Sequence, residues 1–246
     1  SFQTKMAKSG ISFVNQKTAA LVDELLMGRL GFELPQLVEQ AGLAAALAVA
    51  RVFPKREHAL LLVGPGNNGA DGFVCARILT LFGYPCTVVY PRVSSAPFMA
   101  SLRGQCDSFA IPVLQQLPPL SEGHPNRPAF IVDSFFGFSF KPPIRAPFDS
   151  ILAEVVASKL PVFSIDIPSG WDVEAGPPTA ADDYGATLQP IGLISLSVPK
   201  LGVASFKGRH FLGGRFLPPA LLEELAINIP AYPAEELIME IEQSKM

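Results

Sequence analysis

Residues 58–83 constrain the fold of this chain more than any other stretch, because they join an apolar run to a turn rich in glycine and asparagine. The run ALLLV has the composition of a buried strand, and GPGNNGADG follows it. Gly64, Gly66 and Gly69 permit a tight turn in which the backbone approaches a ligand, and the helix after the turn directs its free N–H groups there. The stretch therefore predicts a strand, a phosphate-binding turn and a helix.

Three polar side chains in this turn exceed what a phosphate group requires. Glycines and backbone amides are enough to hold a phosphate at the start of a helix. The turn nevertheless also carries Asn67, Asn68 and Asp71 within five consecutive positions. We therefore expect these side chains to bind a further chemical group beside the phosphate.

The same turn fits the dinucleotide pattern GxGxxG, which raises the hypothesis of an NADP-dependent oxidoreductase. That fingerprint includes an acidic residue about 20 positions further on, which holds the ribose hydroxyls. No Asp or Glu occurs from Gly72 to Cys106, although Arg92 could face a 2′-phosphate. The oxidoreductase is a distant alternative, because it does not account for the three polar side chains.

Composition limits the classes of protein to be considered. With 246 residues, of which 49% are hydrophobic and 18 are Phe, the chain can bury one large core, and we expect a single domain over residues 1–246. The net charge of −3 and the lack of basic blocks argue against a nucleic acid partner. No run of 18 apolar residues and no signal-peptide core near the N-terminus occurs, so we expect a soluble, non-transmembrane protein.

Apolar periodicity predicts two N-terminal helices, over residues 17–30 and 35–53, followed by alternating strands and helices. The predicted strands cover residues 58–64, 85–90, 111–114, 129–133, 161–166 and 192–198, and the predicted helices between them cover residues 72–82, 98–109 and 148–156. Strands that alternate with helices and are almost wholly apolar are typical of a parallel sheet covered on both faces. We predict an α/β protein, a Rossmann-like three-layer α/β/α sandwich with a mainly parallel sheet and two N-terminal helices.

Polar sequence follows three of the predicted strands. The first strand ends in the glycine-rich turn, and the other two end in segments that contain Asp133, Lys141, Asp166, Ser169 and Asp172. Ligands bind beyond the carboxyl ends of parallel strands, so we expect the three segments to meet in one crevice. A single Asp after a strand often only caps a turn. Three such segments on neighbouring strands favour a binding site.

Three motifs, GPGNNGADG, VDSFFGFSFK and SIDIPSGWDVEAG, resemble those of the YjeF N-terminal family in sequence, order and spacing. The resemblance extends over nearly the whole chain, from the helix around Val22–Glu24 to GGRFLPPAL near the C-terminus. Vertebrate members of this family are NAD(P)HX epimerases, also called apolipoprotein A-I-binding proteins. Within the family, the chain resembles a paralogous branch of YjeF N-terminal domain-containing proteins more than the epimerase itself.

The resemblance implies a substrate and a set of site residues. The epimerases interconvert the R and S hydrates of NAD(P)H, whose dihydropyridine ring carries a hydroxyl, so that a partner dehydratase can repair them. By motif, the dinucleotide would contact Asn67, Asn68, Gly69, Ala70, Asp71, Gly137, Phe138, Ser139, Phe140, Lys141 and Asp166. By the same resemblance, a potassium ion would bind Asn68, Asp133 and Ser169, whose side chains supply the oxygen ligands that a hard cation takes. Asp166 would be the acid/base, and Lys141 would position phosphate or polarise the hydroxyl.

Among the departures from the family pattern, three fall in or directly after the motifs that would contact the ligand. Ala70 replaces a glycine of NNGGD, and Pro142 and Pro143 replace a Gly–Asp pair that follows the lysine in the vertebrate epimerase. If position 70 needs a positive φ, alanine costs about 1 kcal/mol or more. The departures favour a non-catalytic protein of the apolipoprotein A-I-binding type, which keeps the dinucleotide and potassium pocket and acts in cholesterol efflux to HDL. The active epimerase is the alternative.

Location and assembly are predicted from separate features. The three cysteines, Cys75, Cys86 and Cys106, are odd in number and lack the spacing of a metal site. We interpret them as reduced thiols, which favours an intracellular location, whereas the resemblance leaves secretion open. The second N-terminal helix has a weak polar face over residues 41–50, which predicts homodimerisation through the two helices.

Overall fold

An eight-stranded sheet lies at the centre of the computed structural model, which describes residues 4–6, 10–141, 143–178 and 188–241. The strands are β1 (Thr4–Met6), β2 (Ser12–Val14), β3 (Ala59–Val63), β4 (Cys86–Val89), β5 (Val113–Leu114), β6 (Phe130–Ser134), β7 (Val162–Ile165), β8 (Gly192–Leu196), β9 (Arg209–Gly213) and β10 (Met239–Glu240). The helices are α1 (Gln16–Glu24), α2 (Leu34–Val52), α3 (Asn67–Leu81), α4 (Pro97–Ser108), α5 (Phe148–Ser158) and α6 (Pro219–Glu224). A turn of π-helix, Leu25–Arg29, extends α1.

The strand order in the large sheet is β10-β9-β8-β7-β6-β3-β4-β5, and β1 and β2 form a separate antiparallel pair. Every pairing from β5 to β9 is parallel, and only β10 is antiparallel to its neighbour. The chain leaves β3 towards β4 on one side and returns to β6 on the other. The carboxyl ends of β3 and β6 therefore form a topological switch point, where open α/β sheets bind ligands.

Helices cover both faces of this sheet, and β3 shows how the two apolar layers are built. Leu61 and Val63 pack in the core beneath α2, α3 and α4. Leu60 and Leu62 point to the opposite face and pack in the core beneath α5. Because alternate residues of a strand face opposite ways, a strand covered on both faces is apolar throughout. The predicted α/β sandwich with a mainly parallel sheet is confirmed.

Several elements differ from the predicted ones. Helix α3 begins at Asn67, five residues before the predicted start, so the polar residues of the glycine-rich segment form its first turn. Strands β9 and β10 and helix α6 were not predicted, because these short elements carry no apolar period of useful length. Pro142 lies outside the described residues. Among the described residues, no helix combines the length and apolar composition needed to cross a membrane.

The second N-terminal helix has a partner within the chain. The small residues of α2 that suggested a dimer interface are buried at Ala41, Ala44, Ala45, Ala46, Ala48 and Val49. They pack against α3 and against the β8 and β9 region of the sheet. The weak polar face of α2 therefore reflects intramolecular packing, and the homodimer prediction loses its basis.

Candidate active site

A cleft of about 520 Å³ opens at the carboxyl edge of the sheet. Its sheet side includes the segments that follow β3, β6, β7 and β8, which are neighbours in the sheet. Its helical side consists of α1, the π-helical turn and α2. The predicted convergence of polar segments on one crevice is therefore present in the fold.

Most of the residues predicted to contact the dinucleotide line this cleft. The lining includes Asn67, Asn68, Asp71, Gly137, Phe138, Ser139, Phe140 and Asp166. Gly69 and Ala70 belong to the same helical turn but not to the lining, and Lys141 is exposed outside it. Asp133 and Ser169 are fully buried beside the lining residues Phe135 and Phe136.

Two glycines of the motif are required by close packing. A Cβ at Gly69 would lie 1.8 Å from the carbonyl oxygen of Gly64, and a Cβ at Gly64 would lie 1.9 Å from that of Phe135. Real Cβ atoms do not approach a carbonyl oxygen so closely, so any side chain would force the backbone apart. The glycines hold the start of α3 against the ends of β3 and β6, which directs the first turn of the helix at the cleft.

Ala70 lies in the hydrophobic core rather than at the cleft. Its side chain is fully buried and packs with the residues between α3, α2 and the sheet. Its N–H donates to the carbonyl of Gly66 at 3.1 Å, as in a regular helix. Residue 70 is not among those with a positive φ. The backbone strain considered for alanine at this position therefore does not arise.

Replacing Ala70 by glycine should destabilise the protein and leave ligand binding unchanged. The substitution removes a buried methyl group and a good helix former, with a combined cost of about 1–2 kcal/mol in the free energy of unfolding. Urea unfolding followed by circular dichroism measures this cost. The exposed Ala100 of α4 is the matched control, since A100G loses helix propensity without a buried methyl group. A stabilised A70G variant would contradict the placement of Ala70 in the core.

A buried ion pair lies at the sheet side of the cleft. Lys200, which follows β8, donates from Nζ to a carboxylate oxygen of Asp166, and the two residues are 3% and 4% exposed. Lys200 also donates to the carbonyl of Leu196 at 3.0 Å, and its Nζ lies 5.3 Å from the centre of the Phe138 ring. The lysine beside Asp166 is therefore Lys200, which was not predicted from the sequence.

Asp166 is held in an unusual backbone conformation. Its φ is 68°, in the left-handed region that residues other than glycine rarely adopt. Its N–H donates to the carbonyl of Ile194 at 2.7 Å, and its carboxylate accepts from the N–H of Phe138 at 3.0 Å. Such conformations persist where the surroundings fix them, and they cluster at functional sites. The carboxylate is thus oriented by β8, by the segment after β6 and by Lys200.

Two further carboxyl groups line the cleft. Asp23 extends from α1, and burial raises its pKa to about 6, although Lys200 lowers it and Asp166 raises it further. Burial also raises the pKa of Asp71 well above its usual value, and the negative charges of Asp166 and Asp23 add to this effect. Asp23 was not among the site residues predicted from sequence.

Asp133 lies at the centre of a buried hydrogen-bond network. Its carboxylate accepts from the Ser169 hydroxyl at 2.5 Å, from the Ser169 N–H at 2.8 Å and from the Ser164 hydroxyl at 2.9 Å. Burial raises the pKa of this carboxyl, and the hydrogen bonds oppose that change. At the cleft lining, the side-chain oxygen of Asn68 is buried and has no hydrogen-bond partner among the described residues, while its nitrogen donates to the carbonyl of Ile165 at 3.3 Å.

Asp172 has a structural role. Its carboxylate accepts from the N–H groups of Glu174 and Ala175 at 2.9 and 2.7 Å, which closes the turn after the third polar segment. Asp172 is not part of the cleft lining. Asp172 therefore follows the turn-capping alternative, whereas Asp166 is buried at the cleft lining and Asp133 is buried beside it.

Comparison with known proteins agrees with these observations. A protein-family model described as YjeF-related protein N-terminus matches residues 34–202. NAD(P)H-hydrate epimerases of Caenorhabditis briggsae and Caenorhabditis elegans are 49% and 48% identical over 237 residues, which is 96% of this chain and 98% of each relative. The crystal structure of a yeast protein, at 39% identity, superposes with a TM-score of 0.85 over 93% of this chain and 99% of its own.

These relatives correct the functional prediction. A non-catalytic protein of the apolipoprotein A-I-binding type was favoured because of Ala70 and the two prolines, and that prediction is wrong. Relatives that match over nearly their full length are epimerases, and Ala70 lies in the core instead of facing a ligand. The apolipoprotein A-I and HDL partners are withdrawn with it. By its fold, its motifs and its similarity over almost the whole length, the chain belongs to the YjeF-related protein N-terminus family.

Proposed function

We propose that this protein is an NAD(P)H-hydrate epimerase, which interconverts the R and S hydrates of NAD(P)H. The observation that carries the proposal is the buried Asp166–Lys200 pair, which faces a cleft lined by the residues that the motifs assign to the dinucleotide. A carboxylate that hydrogen bonds fix at the lining of a cleft can transfer a proton to or from a bound substrate. The epimerase relatives support the same activity.

The cleft offers separate surfaces for the charged and the flat parts of a dinucleotide. The first turn of α3 presents Gly66 and Asn67 at the lining, where free N–H groups and the helix dipole favour a phosphate. The aromatic side chains after β6 form an apolar wall, in which the rings of Phe136 and Phe140 stack with centres 4.6 Å apart. Such a wall suits a nicotinamide ring. The ring would then lie beside Phe138 and Asp166.

The chemistry that follows is loss and return of the ring hydroxyl. Hydration of an enamine places the hydroxyl on the carbon bonded to the ring nitrogen. When this hydroxyl leaves as water, the nitrogen lone pair forms a C=N bond, and the carbon becomes planar. Water that returns to the other face gives the other epimer. Asp166 would act as acid/base at this carbon, and Lys200 would hold its carboxylate in place.

A potassium ion fits the residues beside the cleft, and we propose that Asn68, Asp133 and Ser169 hold it. Two observations support the fit. The side-chain oxygen of Asn68 is buried without a partner, and the Asp133 carboxylate accepts only from neutral donors among the described residues. A bound cation would neutralise Asp133 and supply Asn68 with a partner. It would thereby fix the start of α3 and the segment after β6 around the substrate.

A coupled assay tests the proposed activity. A mixture of R and S hydrates is supplied to an S-specific dehydratase, which alone consumes only the S form. We expect the protein to accelerate consumption of the R form above the spontaneous rate, and we expect D166N to lose most of this acceleration. D107N is the matched control, because Asp107 is exposed on α4, where it forms an ion pair with Arg103 outside the cleft. No acceleration at high protein concentration would remove the epimerase proposal.

A further inference from the structure

Epimerisation at a ring carbon requires a proton transfer on each face of the ring. The hydroxyls of the R and S forms leave from opposite faces, and a single fixed carboxyl group reaches the hydroxyl on one face only. A proton must therefore be given to the departing hydroxyl on one face and accepted from the arriving water on the other. Two acid/base groups on different sides of the cleft meet this requirement.

The two sides of the cleft each carry a carboxyl group. Asp166 lies on the sheet side, directly after β7, and Asp23 lies on the helical side, in the last turn of α1. Helix α1 is fixed at its first turn, because the Asn15 side chain accepts from the N–H of Thr18 at 2.8 Å and the Gln16 side chain donates to the Phe138 carbonyl at 2.7 Å. The wall that carries Asp23 is thereby tied to the segment that covers Asp166.

The other ionisable groups of the cleft are less suited to this role. Lys200 is engaged by Asp166 and by the Leu196 carbonyl. Asp71 is 7% exposed, burial raises its pKa, and it lies on the segment after β3, on the same sheet side of the cleft as Asp166. Asp23 is partly exposed to the cleft, and burial raises its pKa to about 6, near the pH at which an acid/base group exchanges protons most readily.

We propose that Asp23 is the second acid/base residue of the epimerase reaction and serves the face of the ring opposite Asp166. The inference rests on the proposed epimerase function. In one direction, the Asp23 carboxylic acid donates its proton to the hydroxyl, the C–O bond breaks with its electron pair on oxygen, and water departs as the nitrogen lone pair forms C=N. Water then adds to the other face, the C=N electrons return to nitrogen, and the proton passes to the Asp166 carboxylate. The reverse direction exchanges the two roles.

Isotope exchange in ¹⁸O-labelled water separates this role from a structural one. With wild-type protein, each purified epimer should gain label and convert into the other. D23N retains Asp166, so interconversion should fall about 100-fold or more while label still enters one of the two epimers. D166N should show the mirror pattern, with label entering the other epimer. D107N on α4 should behave as wild type, and circular dichroism verifies that each variant is folded.

The possible outcomes each decide the proposal. Retained labelling of a single epimer by D23N supports a second acid/base group, because a merely structural residue would not distinguish the two faces. Interconversion by D23N at the wild-type rate overturns the proposal, and so does equal loss of labelling in both epimers by a folded variant. Failure of the wild-type protein itself to interconvert the epimers would instead overturn the proposed function.

Discussion

Replacing Lys200 by methionine should lower the free energy of unfolding by about 3–5 kcal/mol, because removal of one partner leaves a buried charge without compensation. Lys200 and Asp166 are 3% and 4% exposed, so water does not replace the lost ammonium group. The Asp166 carboxylate would retain the Phe138 N–H, at 3.0 Å, as its donor in the cleft. Urea unfolding of K200M at pH 7, followed by circular dichroism, measures the effect.

Two comparisons show whether the effect comes from the unpaired carboxylate. The double variant K200M/D166N replaces the charge with a neutral amide, so it should recover most of the loss of K200M. The exposed pair of Arg103 and Asp107 on α4 supplies the matched control, and R103M should change stability by less than about 1 kcal/mol. If the free energy of unfolding of K200M lay within about 1 kcal/mol of the wild-type value, the pair would not be buried and charge-compensated.

The position of the site was predictable because its main segments follow neighbouring strands. Apolar strands followed by glycine and Asp mark the carboxyl edge of a parallel sheet, and the fold brings β3, β6 and β7 together there. Lys200 and Asp23 could not be found in this way. Lys200 follows a strand without a glycine-rich motif, and Asp23 lies on a helix that reaches the cleft only through tertiary packing. Sequence spacing carries no signal for either contact.

Ala70 shows how an error of a few residues in an element boundary changes a functional interpretation. The segment was treated as a turn up to residue 72, in which every position is a candidate for ligand contact. Helix α3 instead begins at Asn67, and successive side chains then rotate by about 100°. Asn67, Asn68 and Asp71 therefore share the side that faces the cleft, while Ala70 points into the core. The part of the non-catalytic prediction that rested on Ala70 therefore followed from the misplaced helix start.

His210 on β9 is a neutral histidine in the core, 1% exposed, outside the proposed chemistry. Its Nε2 lies 2.9 Å from the Ser195 hydroxyl, and its ring packs near those of Phe13 and Phe206. Among the described residues, its Nδ1 has no hydrogen-bond partner, so a proton added there would be a buried charge without an acceptor. Burial, assisted by the positive charge of Lys200, lowers the pKa of His210 from 6.5 to about 3.

This histidine should make the fold sensitive to acid. The unfolded chain binds a proton at His210 below pH 6.5 and the folded protein does not, so the stability present above that pH is lost as the pH falls towards 3. The loss from this group between pH 7 and pH 4.5 is about 3 kcal/mol.

The test compares how the free energy of unfolding changes with pH in wild type and in a His210 variant. A comparison is needed because the raised pKa values of Asp23 and Asp71 act in the opposite direction in both proteins. H210Q should lose about 3 kcal/mol less than wild type over this range in urea unfolding. If the free energy of unfolding of H210Q and of wild type changed equally with pH, His210 would be protonated in the folded protein at pH 4.5, and the prediction would be wrong.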